Sequence, residues 1–223
     1  MDAPRMHVHE IEVRASDDPF GEVARGMVRC LRDAVRSRGE AFLALSGGAS
    51  APPMIAELVS HELPWERIGV WQVDERVAPD GHRDRNAEQL AAIPGHKHLM
   101  PVTAADLDDG ASWYAAGLPA EFDVVHLGIG DDGHTASWPP GVDAVVSSDK
   151  PVEVTDTFNG YRRMTLTPRV VNAAQRRFVL VLGASRAPIL RRWIDGDPSI
   201  PAHHIRRDGT VLYVDHAADP TRS

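Results

Sequence analysis

Short apolar runs alternate along the chain with segments whose apolar residues recur at helical spacing. Residues 7–13 (HVHEIEV) alternate apolar and polar positions, as an edge strand does. Residues 19–37 place Val23, Met27, Cys30, Leu31 and Ala34 on one side of a helix. Residues 41–45 (AFLAL), 68–73 (IGVWQV), 123–127 (DVVHL), 177–182 (RFVLVL) and 210–214 (TVLYV) read as strands. Helices are expected over 53–61, 87–92, 168–174 and 187–195. Strands at 151–154 and 163–166 suit a hairpin turning at Asn159-Gly160. Uninterrupted apolar strands set between helices argue for a largely parallel sheet covered on both faces. The expectation is therefore one α/β domain over residues 1–223, a mostly parallel, Rossmann-like sheet with helices on both faces.

In such sheets chemistry sits at the carboxyl ends of the strands. Here those ends carry Ser46-Gly47-Gly48, Asp74-Glu75-Arg76, the glycine-rich run from Gly128 to His134, and Gly183 to Arg186.

Composition narrows the partners. Of 223 residues, 43% are hydrophobic and 25% charged, as in ordinary globular proteins. The net charge is −8, from 24 Lys plus Arg and 32 Asp plus Glu, and no basic stripe stands out, so no nucleic-acid partner is expected. An acidic balance still allows a small anionic ligand, because a few arginines and main-chain N–H groups hold a phosphate locally. Cys30 is the only cysteine and has no internal partner for a disulfide. No apolar run approaches the roughly 18 residues that span a bilayer, and the first residues, MDAPRMHVHEIEVRAS, hold no apolar signal core. No membrane partner and a cytoplasmic location are expected, and nothing in the sequence indicates a protein partner.

Each strand end has two readings. Ser46-Gly47-Gly48 is either an anion cradle at a helix N-terminus or a tight strand-to-helix turn. Gly128, Gly130 and Gly133 fit G-x-G-x-x-G, but Pro139, Pro140 and Gly141 stop the crossover helix a dinucleotide site needs. The glycines are instead expected to shape a loop presenting His134, with Asp132 two residues before it. His134 is then a proton-transfer residue oriented by a carboxylate, or a histidine capping the next turn. Thr135 and Ser137 could cap a following helix. Arg76 is either an anion-contacting guanidinium held in place by one of its neighbouring carboxylates or half of a surface ion pair. Arg163 and Arg186 also lie next to strands, and since neighbours on a strand face opposite ways, either Arg162 or Arg163 could face a ligand. No H-E-x-x-H and no Cys-His set is present, so no metal is expected, and no G-x-S-x-G elbow is present either.

In order, ALSGGAS (44–50), VDERVAP (73–79) with Arg85-Asn86, GIGDDGHTAS (128–137), RMTLT (163–167) and LGASR (182–186) resemble the 6-phosphogluconolactonase family. That family shares its fold with glucosamine-6-phosphate deaminases and isomerases. The resemblance implies hydrolysis of a sugar phosphate lactone without cofactor or metal. It implies that His134 is the general base, Asp132 its partner, and Arg76 a contact to the substrate's charged groups. Ser46, Gly47 and Gly48 would hold the phosphate with Arg163, and Arg186 stands where the family usually has a lysine. Asp74 and Asn86 would line or organise the pocket. Departures are Ser50 for the usual threonine, proline delayed to Pro52, Arg85 for the usual serine, and Trp138-Pro139 for the usual Leu-Phe.

Two rival functions compete. A deaminase of this group carries a glutamate five residues after the loop histidine and Asp-Glu-Tyr at the earlier strand end; here those positions are Pro139 and Asp74-Glu75-Arg76. A sugar-phosphate-binding regulator on this fold would carry a DNA-binding segment, and the residues before Ser46 read as strand plus helix of the same domain. A homologue that binds sugar phosphate with weak catalysis is the remaining variant.

Overall fold

In the computed structural model, which describes residues 11–222, the strands run β1 (Glu12–Ala15), β2 (Ala41–Leu45), β3 (Ile68–Gln72), β4 (Asp74–Arg76), β5 (His96–His98), β6 (Val124–Leu127), β7 (Val152–Phe158), β8 (Tyr161–Leu166), β9 (Arg176–Val181) and β10 (Thr210–Val214). The helices are α1 (Pro19–Arg38), α2 (Ala51–Ser60), α3 (Asn86–Leu90), α4 (Leu107–Ala116), α5 (Asp143–Val146), α6 (Pro168–Ala173) and α7 (Ala187–Ile194). Among the described residues no helix is long and apolar enough to cross a membrane.

Helix α1 begins where its sequence directs. The Asp18 carboxylate accepts from the Gly21 N–H, and Pro19 occupies the first turn, where no N–H is needed. Its buried face carries Val23, Met27 and Leu31.

Seven strands form one parallel sheet in the order β1-β10-β9-β6-β2-β3-β5. Its strands alternate between two cores. Leu43, Leu45, Val124 and Phe178 pack under α1 and α2 with Met27, Leu31 and Met54. Ala44, Val125, Leu127 and Val179 face the opposite core with Leu190 and Trp193 of α7. Strands buried on both faces are what the continuous apolar runs demanded. The expected strand at 7–13 is described only from residue 11; β1 is an edge strand, and residues 7–10 lie outside the described residues.

A second, antiparallel sheet, β4-β8-β7, lies beside the first in the chain's path. Its β7–β8 hairpin turns at Asn159 and Gly160, both with positive φ (48° and 84°), the backbone of a tight two-residue hairpin turn. Strand β4 is the correction here: Asp-Glu-Arg is not a loop at the end of β3 but a short strand, and Arg76 pairs in register with Arg163 of β8. Strand β5 and helices α4 and α5 were also not anticipated.

The functional geometry follows from strand order. Strands β2 and β6 are neighbours in space but far apart in sequence, and the chain leaves β2 toward β3 on one side and returns to β6 on the other. The loops after β2 and β6 diverge from such a switch point and leave a crevice between them.

Candidate active site

One cleft of about 360 Å³ lies at this crevice. Ser46, Gly47, Gly48, Asp74, Arg76, Asn86, His134, Arg163 and Arg186 all line it. Asp132 does not line it but sits behind His134. These nine residues are brought to one place by five separate segments.

The loop after β6 builds the histidine's setting. Asp132 Oδ1 lies 2.5 Å from His134 Nδ1, and the same oxygen accepts the His134 main-chain N–H at 3.1 Å. Nδ1 is thereby committed, and Nε2 has no hydrogen-bond partner among the described residues. Burial works against the Asp132 charge, but the two contacts from His134 outweigh it and hold the carboxyl below its ordinary pKa. Gly130 is the third member of this unit. A Cβ there would lie 2.2 Å from the His134 ring, so only glycine leaves the imidazole its space. Phe158 meets the ring edge to face, with centroids 5.2 Å apart.

The Asp-Glu-Arg strand divides its labour. Glu75 is fully buried and caps the start of α3, accepting from the Asn86 and Ala87 N–H groups at 2.8 Å each. It also takes the Gln72 side-chain amide at 2.7 Å. Glu75 does not hold the Arg76 guanidinium, and neither does Asp74. Arg76 Nη1 instead donates to the Asp84 carbonyl and to Asn86 Oδ1 at 3.2 Å, which corrects the expectation of a carboxylate clamp.

Asp74 is buried and faces Ser137 Oγ (2.6 Å), Asn86 Nδ2 (3.3 Å) and, more loosely, Arg163 Nη1 (3.8 Å). Burial raises its pKa; the Ser137 hydroxyl and the Arg163 charge offset this only in part. Ser137 therefore serves the site and caps no helix. Nothing local in the sequence links residues 74 and 137.

The loop after β2 is less open than three glycine-rich amides suggest. The Ser46 N–H bonds the His126 carbonyl (3.2 Å), and the Gly48 N–H bonds Gln89 Oε1 (2.9 Å). The Gly47 N–H and the buried Ser46 Oγ have no partner among the described residues. Gly47 has its own steric reason: a Cβ would lie 2.1 Å from Asn86 Oδ1.

Positive charge comes from Arg76, Arg163 and Arg186. Arg163 is buried and lines the cleft while Arg162 is exposed, which decides between the two neighbours. Burial lowers the Arg163 pKa, with Asp74 pulling the other way. Arg186 Nη1 lies 2.7 Å from Asp131 Oδ1, a partner the sequence did not suggest. Among the described residues no group of three or more His, Cys, Asp or Glu side chains is placed to hold a metal ion.

Fold and cleft together define an α/β protein with an anion-suited pocket and one carboxylate-oriented imidazole. The sequence family described as "Glucosamine-6-phosphate isomerases/6-phosphogluconolactonase" matches residues 15–213. A Synechocystis sp. protein named 6-phosphogluconolactonase is 34% identical over 203 residues, covering 81% of this chain and 84% of that protein. A Nostoc sp. protein of the same name is 31% identical over 209 residues, covering 84% and 87%. The crystal structure of a 6-phosphogluconolactonase from Thermotoga maritima superposes with a TM-score of 0.82 over 92% of this chain and 98% of that one, at 22% identity. The chain belongs to the glucosamine-6-phosphate isomerase/6-phosphogluconolactonase family.

Proposed function

We propose that the protein hydrolyses 6-phospho-D-glucono-1,5-lactone to 6-phospho-D-gluconate, the ring-opening step of the pentose phosphate pathway. The observation that carries this reading is the His134–Asp132 pair, with Nδ1 committed and Nε2 open, in the cleft that also holds Arg76, Arg163 and Ser46. The names of the Synechocystis and Nostoc relatives support it.

In this reading the phosphate is held by Arg163, Arg186, the Gly47 N–H and Ser46 Oγ, which places the lactone for attack. His134 Nε2 takes a proton from water, and the water oxygen attacks C1. Arg76 and nearby N–H groups stabilise the tetrahedral oxyanion. The oxyanion collapses, the bond from C1 to the ring oxygen breaks, and the proton on Nε2 passes to that oxygen. The new carboxylic acid then ionises. Asp132 holds the ring in the tautomer this requires and stabilises the imidazolium. Asp74 and Asn86 organise the wall that carries Arg76 and Arg163.

Position 139, where the deaminases of this fold carry a glutamate, is proline, which supports hydrolysis over deamination. A sugar phosphate does not cross a lipid bilayer unaided, and a cytoplasmic setting belongs to the same proposal. The test is 6-phosphogluconate production from the lactone, followed with a coupled dehydrogenase and corrected for spontaneous opening. Acceleration over that background is expected. No acceleration, or ammonia release from glucosamine 6-phosphate, would overturn the reading.

A further inference from the structure

The turn of the β7–β8 hairpin borders the outer part of the cleft, where Asn159 and Tyr161 face Arg76, His134 and Arg163. Phe158 and Tyr161 are register partners across that turn. Tyr161 Oη donates to Asp84 Oδ2 at 2.7 Å, and the Asp84 carbonyl in turn accepts from Arg76. The turn is therefore tied to the segment that carries the Arg76 guanidinium. On its other strand, Phe158 touches two charged groups at once. Its ring stands at 76° to the His134 imidazole, 5.2 Å between centroids, and Arg163 Cζ lies 5.4 Å from its centre.

The hydrogen bond that Nδ1 donates to Asp132 fixes one atom of the imidazole. A ring held at one atom still swings, and the direction of Nε2 swings with it. Gly130 leaves the ring its space on one side. Phe158 is the contact on another. We infer that Phe158 is a positioning residue for His134: its ring is the wall that sets the imidazole's rotation and so aims Nε2 into the cleft. This rests on the reading of His134 as the base.

The main chain separates this role from phosphate binding. Arg163 Nε donates to the Phe158 carbonyl at 3.1 Å, a contact any residue at 158 supplies. Removing the ring therefore costs His134 its wall but leaves Arg163 its main-chain anchor.

The experiment compares Phe158→Ala, Phe158→Leu and Phe158→Tyr with wild type and His134→Ala in lactone hydrolysis. Phe158→Ala is expected to lower kcat about tenfold or more, since small misplacements of a reacting group carry losses of that size. KM should rise by no more than about threefold, the scale of a lost exposed cation–π contact. Phe158→Tyr keeps the aromatic wall and should restore most of kcat. If Phe158→Ala does not fold, Phe158→Leu is read in its place, with a smaller loss of kcat expected and an unchanged kcat overturning the inference. Unchanged kcat in Phe158→Ala, a rise in KM alone, or Phe158→Tyr as slow as Phe158→Ala would each overturn it. An inactive His134→Ala beside a fully active Phe158→Ala defeats this inference alone. An active His134→Ala defeats the functional reading, and this inference with it.

Discussion

One oxygen of Asp132 serves His134 twice, meeting the ring Nδ1 at 2.5 Å and the main-chain N–H at 3.1 Å. The carboxylate thus sets both the backbone turn and the tautomer of the side chain it orients. Replacing it with an amide keeps the shape and removes the charge that stabilises the imidazolium. Asp132→Asn is expected to lower kcat by about 10- to 100-fold, reaching only the lower end of general-base effects because the base itself stays in place. His134→Ala should lose at least as much, and the double variant no more than His134→Ala, because the two act as a unit. Steady-state kinetics of the three proteins checks this; additive losses would mean that Asp132 acts elsewhere.

Gly130 offers a test that leaves the fold alone. Its backbone lies outside the positive-φ region, so an alanine there meets no conformational penalty. The added methyl would lie 2.2 Å from His134 Nδ1 and Cε1 and 2.9 Å from Asp132 Oδ1, and the ring must move. Gly130→Ala is expected to reduce kcat by about 100-fold with little change in melting temperature. Activity near wild type would show that the ring's observed place is not the working one.

These two relationships were legible in the sequence because Gly130, Asp132 and His134 are neighbours in one loop. The long apolar runs were legible for a related reason: a strand buried on both faces must be apolar throughout, and α1 must show its stripe. Strand β4 was hidden because it is short, polar and exists only through pairing with β8, distant in sequence. Helix α4 was hidden because LDDGASWYAA carries a glycine and an exposed Trp113, and buries little along one side. The site's long-range contacts, Asp74 to Ser137 and Arg186 to Asp131, leave no periodic trace. Arg163 was separable from Arg162 only once β8 had a buried face.

His126 bears on stability. It lies in β6 with its side chain buried, and neither ring nitrogen has a hydrogen-bond partner among the described residues. Burial lowers its pKa from 6.5 to about 4, offset only in part by the Ser46 main chain. The unfolded chain takes up a proton near pH 6.5 that the folded protein refuses until about pH 4. The contribution is therefore fully present above pH 6.5 and is lost as pH falls toward 4, on the order of 3 kcal/mol in all. His126→Leu is expected to remove this acid-side loss and to raise stability at neutral pH, since it deletes two unpaired buried nitrogens. Denaturant midpoints measured from pH 7.5 to 4 should diverge, wild type falling faster than His126→Leu toward acid; parallel curves would show that His126 is solvated or paired in solution.

The Arg186–Asp131 pair places a competitor at the end of the cleft that the proposed reading assigns to the phosphate. At 2.7 Å the Asp131 carboxylate occupies the same guanidinium that the proposed reading assigns to the substrate. Asp131 is mostly exposed, so the pair itself adds little stability. A bound phosphate would meet both the loss of that partner and repulsion from a like charge. Asp131→Asn should therefore lower KM by about three- to tenfold at low ionic strength, leave kcat unchanged, and lose its advantage as salt screens the repulsion. Arg186→Ala should raise KM in the same assay. A higher KM in Asp131→Asn would mean that the carboxylate aims Arg186 at the phosphate instead of competing for it, and salt-dependent kinetics of the two variants separates those roles.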